Sequence, residues 1–458
     1  MRTASLVVLS LVLCCVSYAA VPGYTITDLG TLYGLDSYGT GINNLGQAVG
    51  YSSNLDGDFR AFLYTPGKGL KDLGTLGGYA AIAYGINDSG QVVGYSGTNG
   101  LGDRAFIYTE QSGILDLGVP PPNDVGASSS MARGISSSGQ VAGFAQNPAD
   151  FAQHAFLLGP SGFADLGTLG GWESYGCGVN SSGQVVGQSE SSSGQSHAFV
   201  YTPGAGMADL GLLQNGIYSV ATGINDSGWV VGYCWTSQNQ NRAFVYVPGT
   251  GMSDLGTLGA SSAQAYGINA AGLIVGDLDV GGQMRAFVYE TTGSMLQLPT
   301  LGGAQSLARG INDLDQVVGF AATADGVFHA VIWSPIAEPP QPKTQVKMWI
   351  CPRTLNPRSH GRWVSCWMEV TSAGQTVRDI DVKSLRLQET LPAVGRCRIC
   401  DPDRDRVPEM VVTFDRSALV KTLVPGKQTV KVTGKFKDGA SFEATATVRV
   451  LEAQSKHR

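Results

Sequence analysis

Three short stretches decide the fold: Asp72-Leu-Gly-Thr-Leu-Gly-Gly78, Gly85-Ile-Asn-Asp-Ser-Gly-Gln-Val-Val-Gly94 and Arg104-Ala-Phe-Ile-Tyr108. They recur in this order along most of the 458-residue chain. The Asp-Leu-Gly element begins at Asp28, Asp72, Asp116, Asp165, Asp209 and Asp254, with a divergent seventh copy at Gln297-Leu-Pro299. The intervals are 44, 44, 49, 44, 45 and 43 residues. So regular a period is the signature of a repeat architecture.

Each repeat has the pattern of four short strands. Residues 91–95 and 105–108 are rich in β-branched and aromatic side chains, which favour strands. Asn-Asp-Ser-Gly before the first run, and Thr-Pro-Gly or a variant after the second in most copies, are turn sequences. With 63 glycines and 14% charged residues, the composition also fits turn-dense β structure.

A four-stranded unit of this size cannot bury both faces alone, so neighbouring units must stack. Radial stacking gives a β-propeller, and a straight solenoid is the alternative. The tight turns force antiparallel pairing, which favours the propeller. We therefore predict an all-β chain with a seven-bladed propeller over residues 21–335. The strand from Tyr24 to Leu32 is expected to close the ring as the outer edge of the seventh blade.

The repeats resemble the HAF-repeat proteins, an extracellular bacterial family named for His-Ala-Phe. That tripeptide is present at His154-Ala-Phe156 and His197-Ala-Phe199. The resemblance implies an exported repeat protein and implies no particular activity.

Two recurring positions carry side chains able to pair. Six repeats have the aspartate of Asp-Leu-Gly, and a cation-capable residue precedes Ala-Phe or Ala-Val in all seven: Arg60, Arg104, His154, His197, Arg242, Arg285 and His329. Charged hydrogen bonds recurring in every unit are what a scaffold needs. We predict structural pairs between Asp and Arg or His, with ligand binding as the alternative.

Turn and ligand positions also recur. Gly-Ile-Asn or its variant supplies Asn43, Asn87, Asn180, Asn225, Asn269 and Asn312, with Ser136 in the third copy. These predict hairpin turns held by Asx-type hydrogen bonds. Aromatic residues after Val-Gly, or in the loop that follows, are the candidate ligand-binding residues: Tyr51, Tyr95, Phe144, Tyr233, Trp235 and Phe320. Packing between blades explains these aromatics equally well.

The N-terminus predicts export. Arg2, the apolar run from Ala4 to Val16 and Ser17-Tyr-Ala-Ala20 have the pattern of a Sec-type signal peptide over residues 1–20. Leu13 and Cys14 depart from a lipoprotein signal. No later segment is long and apolar enough for a membrane helix, so we predict a secreted or cell-surface protein, extracellular or periplasmic.

Beyond the repeats the composition changes. Residues 336–342 are a proline-rich linker, and residues 343–458 have the strand pattern of a small antiparallel β-sandwich. Residues 21–335 contain 8 basic and 23 acidic residues, net −15, whereas residues 336–458 contain 21 and 13, net +8. Opposite charges favour docking of the two parts, and the acidic propeller argues against nucleic acid as a partner.

The C-terminal domain offers three kinds of site. It resembles a β domain common in bacterial secreted proteins, whose members often carry a calcium-loop-like string, present here as Asp401, Asp403, Asp405 and Glu409. Arg404 and Arg406 oppose calcium by charge and by lost turn freedom. Cys351, Cys366, Cys397 and Cys400 could form a zinc site. In an exported chain we predict disulfides instead, Cys351 with Cys366 and Cys397 with Cys400, and no cofactor.

The repeats contain no recognisable nucleophile with its base, paired carboxylates, phosphate loop or metal cluster. The leading hypothesis is therefore a non-catalytic exported scaffold that binds a protein or glycan through one propeller face. A secreted hydrolase or lyase with its active site at the central channel is the alternative, because such sites gather residues from several blades.

Overall fold

A computed structural model of the chain describes residues 23–100, 102–120, 129–147, 149–257, 259–290, 293–336, 346–357, 361–370, 376–401, 407–437 and 441–452. The chain separates into two compact units, Met1–Ile336 and Ala337–Arg458. The predicted signal peptide and all of the predicted linker except Ile336 lie outside the described residues. No helix of the described ranges is long and apolar enough to cross a membrane.

The first unit consists of four-stranded antiparallel sheets, numbered here in chain order. The chain begins with β1 (Tyr24–Asp28). Sheet 1 contains β2 (Ser37–Ile42), β3 (Ala48–Ser53), β4 (Phe59–Thr65) and β5 (Gly69–Asp72). Sheet 2 contains β6 (Gly77–Ile86), β7 (Val92–Thr98), β8 (Asp103–Thr109) and β9 (Gly113–Gly118). Sheet 3 contains β10 (Ser130–Ile135), β11 (Val141–Gln146), β12 (Gln153–Gly159) and β13 (Gly162–Asp165).

The later repeats continue the pattern. Sheet 4 contains β14 (Gly170–Val179), β15 (Val185–Ser191), β16 (Ser196–Thr202) and β17 (Gly206–Gly211). Sheet 5 contains β18 (Gly216–Ile224), β19 (Val230–Thr236), β20 (Asn241–Val247) and β21 (Gly251–Asp254). Sheet 6 contains β22 (Ser262–Ile268), β23 (Ile274–Val280), β24 (Gln283–Tyr289) and β25 (Met295–Gln297).

Sheet 7 joins the two ends of the unit. It contains β26 (Gly302–Ile311), β27 (Val317–Thr323) and β28 (Phe328–Pro335), and β1 completes it at the outer edge. The strand β1 pairs antiparallel with β28, with Tyr24 opposite Pro335 and Asp28 opposite Val331. The closure predicted from the phase of the repeat is confirmed. It covers an edge of β28 that would otherwise be free to pair with another chain.

The sheets form a ring with their first strands innermost. Each first strand contacts the first strand of the next sheet, and β26 contacts β2. The Oγ1 atoms of Thr40 and Thr222 both donate to carbonyls of the following sheet, those of Ala83 and Ala265, over 2.8 Å. A ring of four-stranded sheets with this connectivity is a β-propeller.

Local sequence explains why the repeat folds this way. The Ala-Phe pair of each third strand, or Ala-Val in sheet 7, is buried, as at Ala61 and Phe62, which are both 0% exposed. The glycine of Val-Gly lies under that ring: a Cβ on Gly50 would come 1.9 Å from the carbonyl oxygen of Tyr38 and 2.8 Å from Phe62 Cζ. Any side chain there would separate the first strand from the second, so only glycine fits.

The Gly-Ile-Asn asparagines close their own turns and also link neighbouring sheets. Asn43 Oδ1 accepts from the backbone N–H groups of Leu45 and Gln47 over 3.1 and 3.0 Å, the Asx-type arrangement predicted from sequence. Its Nδ2 also donates to the carbonyl of Asn87 in the next sheet over 3.0 Å. Equivalent links between sheets are made by Asn87, Asn180, Asn225, Asn269 and Asn312.

The second unit consists of two sheets around one core. One sheet has the order β29 (Val346–Cys351), β31 (Trp363–Val370), β35 (Glu409–Asp415) and β34 (Val394–Cys400). The other has the order β30 (Thr354–Leu355), β37 (Ser441–Val450), β36 (Gly426–Phe436), β32 (Ile380–Leu387) and β33 (Leu391–Pro392). A 3₁₀ turn (Val377–Asp379) and the helix α1 (Arg416–Thr422) are also present. The short β30 pairs parallel to β37, unlike the all-antiparallel arrangement that the sequence predicts.

The predicted disulfides do not form. All six described cysteines are free thiols: Cys177, Cys234, Cys351, Cys366, Cys397 and Cys400. Ile350, not Cys351, lies opposite Cys366 in the ladder, so the two sulfur atoms are on opposite faces of the sheet. Cys397 and Cys400 are three residues apart on β34, about 10 Å along an extended strand and beyond disulfide reach.

Candidate functional site

The Asp-Leu-Gly aspartates first serve as turn caps. In each of the six copies the aspartate Oδ1 accepts the backbone N–H of the glycine two residues later, for example Gly30 N–H to Asp28 and Gly211 N–H to Asp209 over 2.8 and 2.7 Å. The other four copies repeat this bond. This role is not among those predicted from the sequence, although Asx turns of this kind are common.

Four of the predicted structural pairs are present, each between an outer strand and the adjacent third strand. They are Asp28 with His329, Asp165 with His154, Asp209 with His197, and Asp254 with Arg242, with nitrogen–oxygen distances of 2.9, 2.9, 2.7 and 2.7 Å. These aspartates are partly exposed, which is typical of pairs that fix strand register and add little stability.

The other three predicted pairs are not brought together. Asp72 Oδ2 accepts a hydrogen bond from the hydroxyl of Tyr33 instead of pairing with Arg60. Asp116 keeps its turn bond to Gly118, while the Nε of Arg104 is buried without a hydrogen-bond partner in the described structure. In sheet 6 the residue opposite Phe287 is Gln297, from the divergent copy of Asp-Leu-Gly. Arg285 therefore has no aspartate at this position to pair with.

The predicted ligand-binding aromatics lie on the second strands and are half-buried. Tyr51 stacks on Tyr38 with ring centroids 4.9 Å apart, and Tyr38 meets Phe320 edge-on at 4.9 Å. The ring centroids of Tyr84 and Tyr95 are 6.1 Å apart. Trp235 stacks on Tyr218 at 6.3 Å. These rings therefore do pack between and within sheets, while remaining partly accessible.

Two arginines that the sequence analysis did not single out complete this group. Arg133 and Arg309 both occupy the position before Gly-Ile, where a β-bulge interrupts the innermost strand. In the other repeats this position is Thr40, Tyr84, Cys177, Thr222 or Tyr266. We call the following residues the inner cluster: Tyr38, Tyr51, Tyr84, Tyr95, Arg133, Phe144, Tyr233, Tyr266, Asp277, Arg309 and Phe320.

Each arginine lies over the tyrosine ring that occupies the same bulge position in the preceding sheet. The Arg133 guanidinium carbon is 4.5 Å from the ring centroid of Tyr84 and 5.7 Å from that of Phe144. Arg309 is 4.0 Å from Tyr266 and 5.2 Å from Phe320. Both sites therefore share the same cation–π geometry, one between sheets 2 and 3 and the other between sheets 6 and 7.

The two arginines differ in their charge partners. Arg309 Nη1 pairs with Asp277 Oδ2 at 3.1 Å, and Asp277 is only 1% exposed. Burial raises the pKa of the Asp277 carboxyl, and the Arg309 guanidinium opposes that shift. The residue equivalent to Asp277 beside Arg133 is Tyr95. Arg133 is exposed, and no carboxylate of the described ranges lies within ion-pair distance of it.

The tyrosines of the cluster stay protonated. Burial raises the pKa of Tyr51 to about 12 and that of Tyr95 to about 12. Burial also raises the pKa of Tyr266, helped by the Asp277 charge and opposed by Arg309. Neutral phenols donate and accept hydrogen bonds, but they are poor bases and poor nucleophiles at ordinary pH.

A cavity lies where the Gly-Ile-Asn turns meet around the axis. Turn residues of several sheets line it, among them Asn44, Asp88, Asp226 and Asp313. These aspartates have structural partners: Asp88 accepts from the N–H of Asn44, Asp226 from that of Ser181, and Asp313 from that of Ala270, over 2.8 to 2.9 Å. The ring is thus open at its axis, and its acidic rim is part of the contact between sheets.

The calcium-loop-like string, in which we predict no bound metal, is only partly described. Asp401 is exposed at the end of β34, Glu409 is buried at the start of β35, and Asp403 and Asp405 lie outside the described residues. Among described residues, no group of three or more histidine, cysteine or acidic side chains is placed to hold a metal ion.

Comparisons with known proteins give only distant likenesses. No family model and no curated protein matches the chain. A crystal structure of puromycin hydrolase aligns at 12% identity and a TM-score of 0.44, and the alignment covers 78% of this chain and 63%, less than two thirds, of the hydrolase. A lectin of Aleuria aurantia in complex with α-methyl-L-fucoside aligns at 11% identity and a TM-score of 0.31, covering 78% of this chain and 95% of the lectin. TolB from Acinetobacter baumannii aligns at 12% identity and a TM-score of 0.34, covering 64% and 81%.

Proposed function

We propose that this chain is an exported, seven-bladed β-propeller of the HAF-repeat type that binds a carbohydrate at the inner cluster and does not transform it. Export is supported by the signal-like segment over residues 1–20. The blade number is supported by the seven sequence repeats and by the strand β1, which completes the sheet begun by the last repeat. A protein ligand on the propeller face is the competing form of the same hypothesis.

The observation that carries the proposal is the concentration of half-buried aromatic rings and two guanidinium groups on the first and second strands of neighbouring sheets. Carbohydrates present C–H groups on their ring faces and hydroxyls at their edges. Aromatic faces receive the former, and neutral phenols and guanidinium groups hydrogen-bond the latter.

The alternative, a channel hydrolase or lyase, has one supporting observation: Asp277 is a carboxyl group whose pKa is raised by burial, as expected of a general acid. However, Asp277 is 1% exposed and bonded to Arg309. A buried carboxyl with this partner holds the arginine in place and has no access to a substrate. We therefore assign Asp277 a positioning role.

The test is a carbohydrate array probed with the full-length protein and two variants. Tyr84→Ala removes a phenol ring from the inner cluster. The control, Tyr64→Ala, removes a phenol ring outside the cluster, on the third strand of sheet 1. We expect wild type and Tyr64→Ala to bind the same carbohydrate class, and Tyr84→Ala to bind it at least about tenfold more weakly. The proposal is overturned if the wild-type protein binds no carbohydrate on the array, or if Tyr84→Ala binds as tightly as wild type. Cleavage of the bound sugar would establish the hydrolase or lyase instead.

A further inference from the structure

The third repeat departs from all the others in two ways and shares a third feature only with the seventh repeat. Its spacing is the longest, 49 residues. It has Ser136 in place of asparagine, so the amide link from this turn to the next sheet is missing. Like the seventh repeat, which has Arg309, it carries an arginine, Arg133, at the bulge position. Only eight basic residues occur between residues 21 and 335, and two of them, Arg133 and Arg309, lie in the inner cluster.

Comparison of these two arginines isolates what is special about Arg133. They share the same backbone position and the same pair of aromatic contacts. The charge of Arg309 is neutralised inside the protein by Asp277. The charge of Arg133 has no such partner in the described part of the chain, and its side chain is exposed. Its guanidinium edge is therefore available to an anion from outside.

The neighbourhood of Arg133 fits one planar anion attached to a hydroxylated ring. Tyr84 and Phe144 flank the guanidinium, and Phe144 also meets Tyr175 edge-on with centroids 4.8 Å apart. The Tyr95 phenol is close enough for the Arg133 charge to act on its pKa, which burial holds at about 12. Guanidinium pairs with a carboxylate through two parallel hydrogen bonds, while the rings and the phenol suit the sugar.

We propose that the ligand of the inner cluster is an acidic carbohydrate, and that Arg133 binds the carboxylate of a uronic acid. This inference rests on the proposed function and specifies its substrate class. The first unit carries a net charge of −15 outside the signal peptide, so recognition must come from contact with Arg133 and not from long-range attraction. Added salt screens the long-range repulsion first. Affinity for a short uronic acid oligomer should therefore not fall steeply with salt, unlike the binding of a polyanion to a basic surface.

The experiment measures binding of trigalacturonic acid, and of its methyl ester as a neutral match, by titration calorimetry with the full-length protein. The two test variants are Arg133→Gln and Arg133→Lys. The control is Lys68→Gln, which removes the same charge as Arg133→Gln but at an exposed turn of sheet 1. We expect wild type and Lys68→Gln to prefer the acid by about tenfold or more. Arg133→Gln should lose the preference, and Arg133→Lys should keep only part of it, because lysine lacks the planar fork. Melting curves of all variants verify that each one folds.

The outcomes separate this inference from the proposed function. Equal binding of acid and ester by wild type, or an unchanged preference in Arg133→Gln, overturns the role of Arg133 and leaves carbohydrate binding standing. Absence of binding to any carbohydrate on the array overturns both. Binding of a peptide through its C-terminal carboxylate, with no sugar bound, also overturns the inference and identifies a protein ligand.

Discussion

Asn312 and Asn43 are 269 residues apart in sequence, and the side-chain amide of Asn312 donates to the backbone carbonyl of Asn43 over 2.9 Å. This bond joins sheet 7 to sheet 1. The same bond joins most other neighbouring sheets, so the asparagines form a belt around the axis. In the third repeat the belt is interrupted, because Ser136 has no side-chain N–H to donate.

The belt predicts opposite effects for two substitutions. Asn312→Asp keeps an oxygen for the backbone N–H groups of Leu314 and Gln316 but loses the donor to Asn43. It should therefore cost at least about 1 kcal/mol. Ser136→Asn supplies the missing donor toward sheet 4 and should stabilise by about the same amount. Melting temperatures of the full-length protein measure both effects. Wild-type values for both variants would show that the belt contributes nothing.

Sequence alone indicated that these asparagines sit in turns, but it did not indicate the bond between sheets. Turn chemistry is local and can be inferred from Asn and Gly at fixed offsets. A bond from one repeat to the next depends on the angle between sheets, which no single repeat encodes. The closing strand β1 could be predicted because only the phase of the repeat was needed.

The double role of the Asp-Leu-Gly aspartate gives a second prediction. Asp209 caps the turn through Gly211 N–H and pairs with His197. Asp209→Asn keeps an oxygen for the turn and loses only the charge of a partly exposed partner of His197, so its cost should stay below about 1 kcal/mol. Asp209→Ala loses both and should cost about 1 to 2 kcal/mol.

The matched control is Asp116, which caps Gly118 without an ion pair to Arg104. Asp116→Asn should leave the unfolding free energy unchanged. Asp116→Ala should lower the unfolding free energy only by the contribution of the turn cap. Chemical denaturation gives these values. Equal costs for Asp209→Asn and Asp209→Ala would mean that the turn cap is not the main contribution.

The buried carboxyl of Asp277 predicts how stability depends on pH. Its folded-state pKa is raised by burial, so the folded protein binds this proton more tightly than the unfolded chain. Stability from this group is therefore lost as pH rises from the usual carboxyl pKa, about 3.9, through the raised value. Asp277→Asn has no such proton, so its melting temperature should rise relative to wild type as pH increases over that window. A constant difference from pH 4 to pH 8 would contradict this.

The cysteines provide a third check. The register that separates Cys351 from Cys366, and the spacing of Cys397 and Cys400 on one strand, leave these thiols unpaired. Thiol titration of the denatured, unreduced protein should give six free thiols for the six described cysteines. Two thiols would instead match the two disulfides expected from export, and β29, β31 and β34 would then need a different register.

Only part of the inner cluster can be predicted from the sequence. The aromatic position after Val-Gly can be, because variation within a fixed frame marks a ligand position. The bulge position before Gly-Ile varies equally, from Thr40 to Arg309, but this variation does not show which aromatic rings an arginine there will meet. Nothing in the sequence places Arg133 on Tyr84, which is 49 residues away, because that contact arises only when the sheets pack around the axis.

The position of a bound uronic acid trisaccharide in a crystal of the full-length protein tests the account most directly. We predict a sugar ring against Tyr84 or Phe144, with its carboxylate about 3 Å from the Arg133 guanidinium nitrogens. A sugar bound on the outer strands or on the C-terminal unit, with the inner cluster empty, would contradict the account.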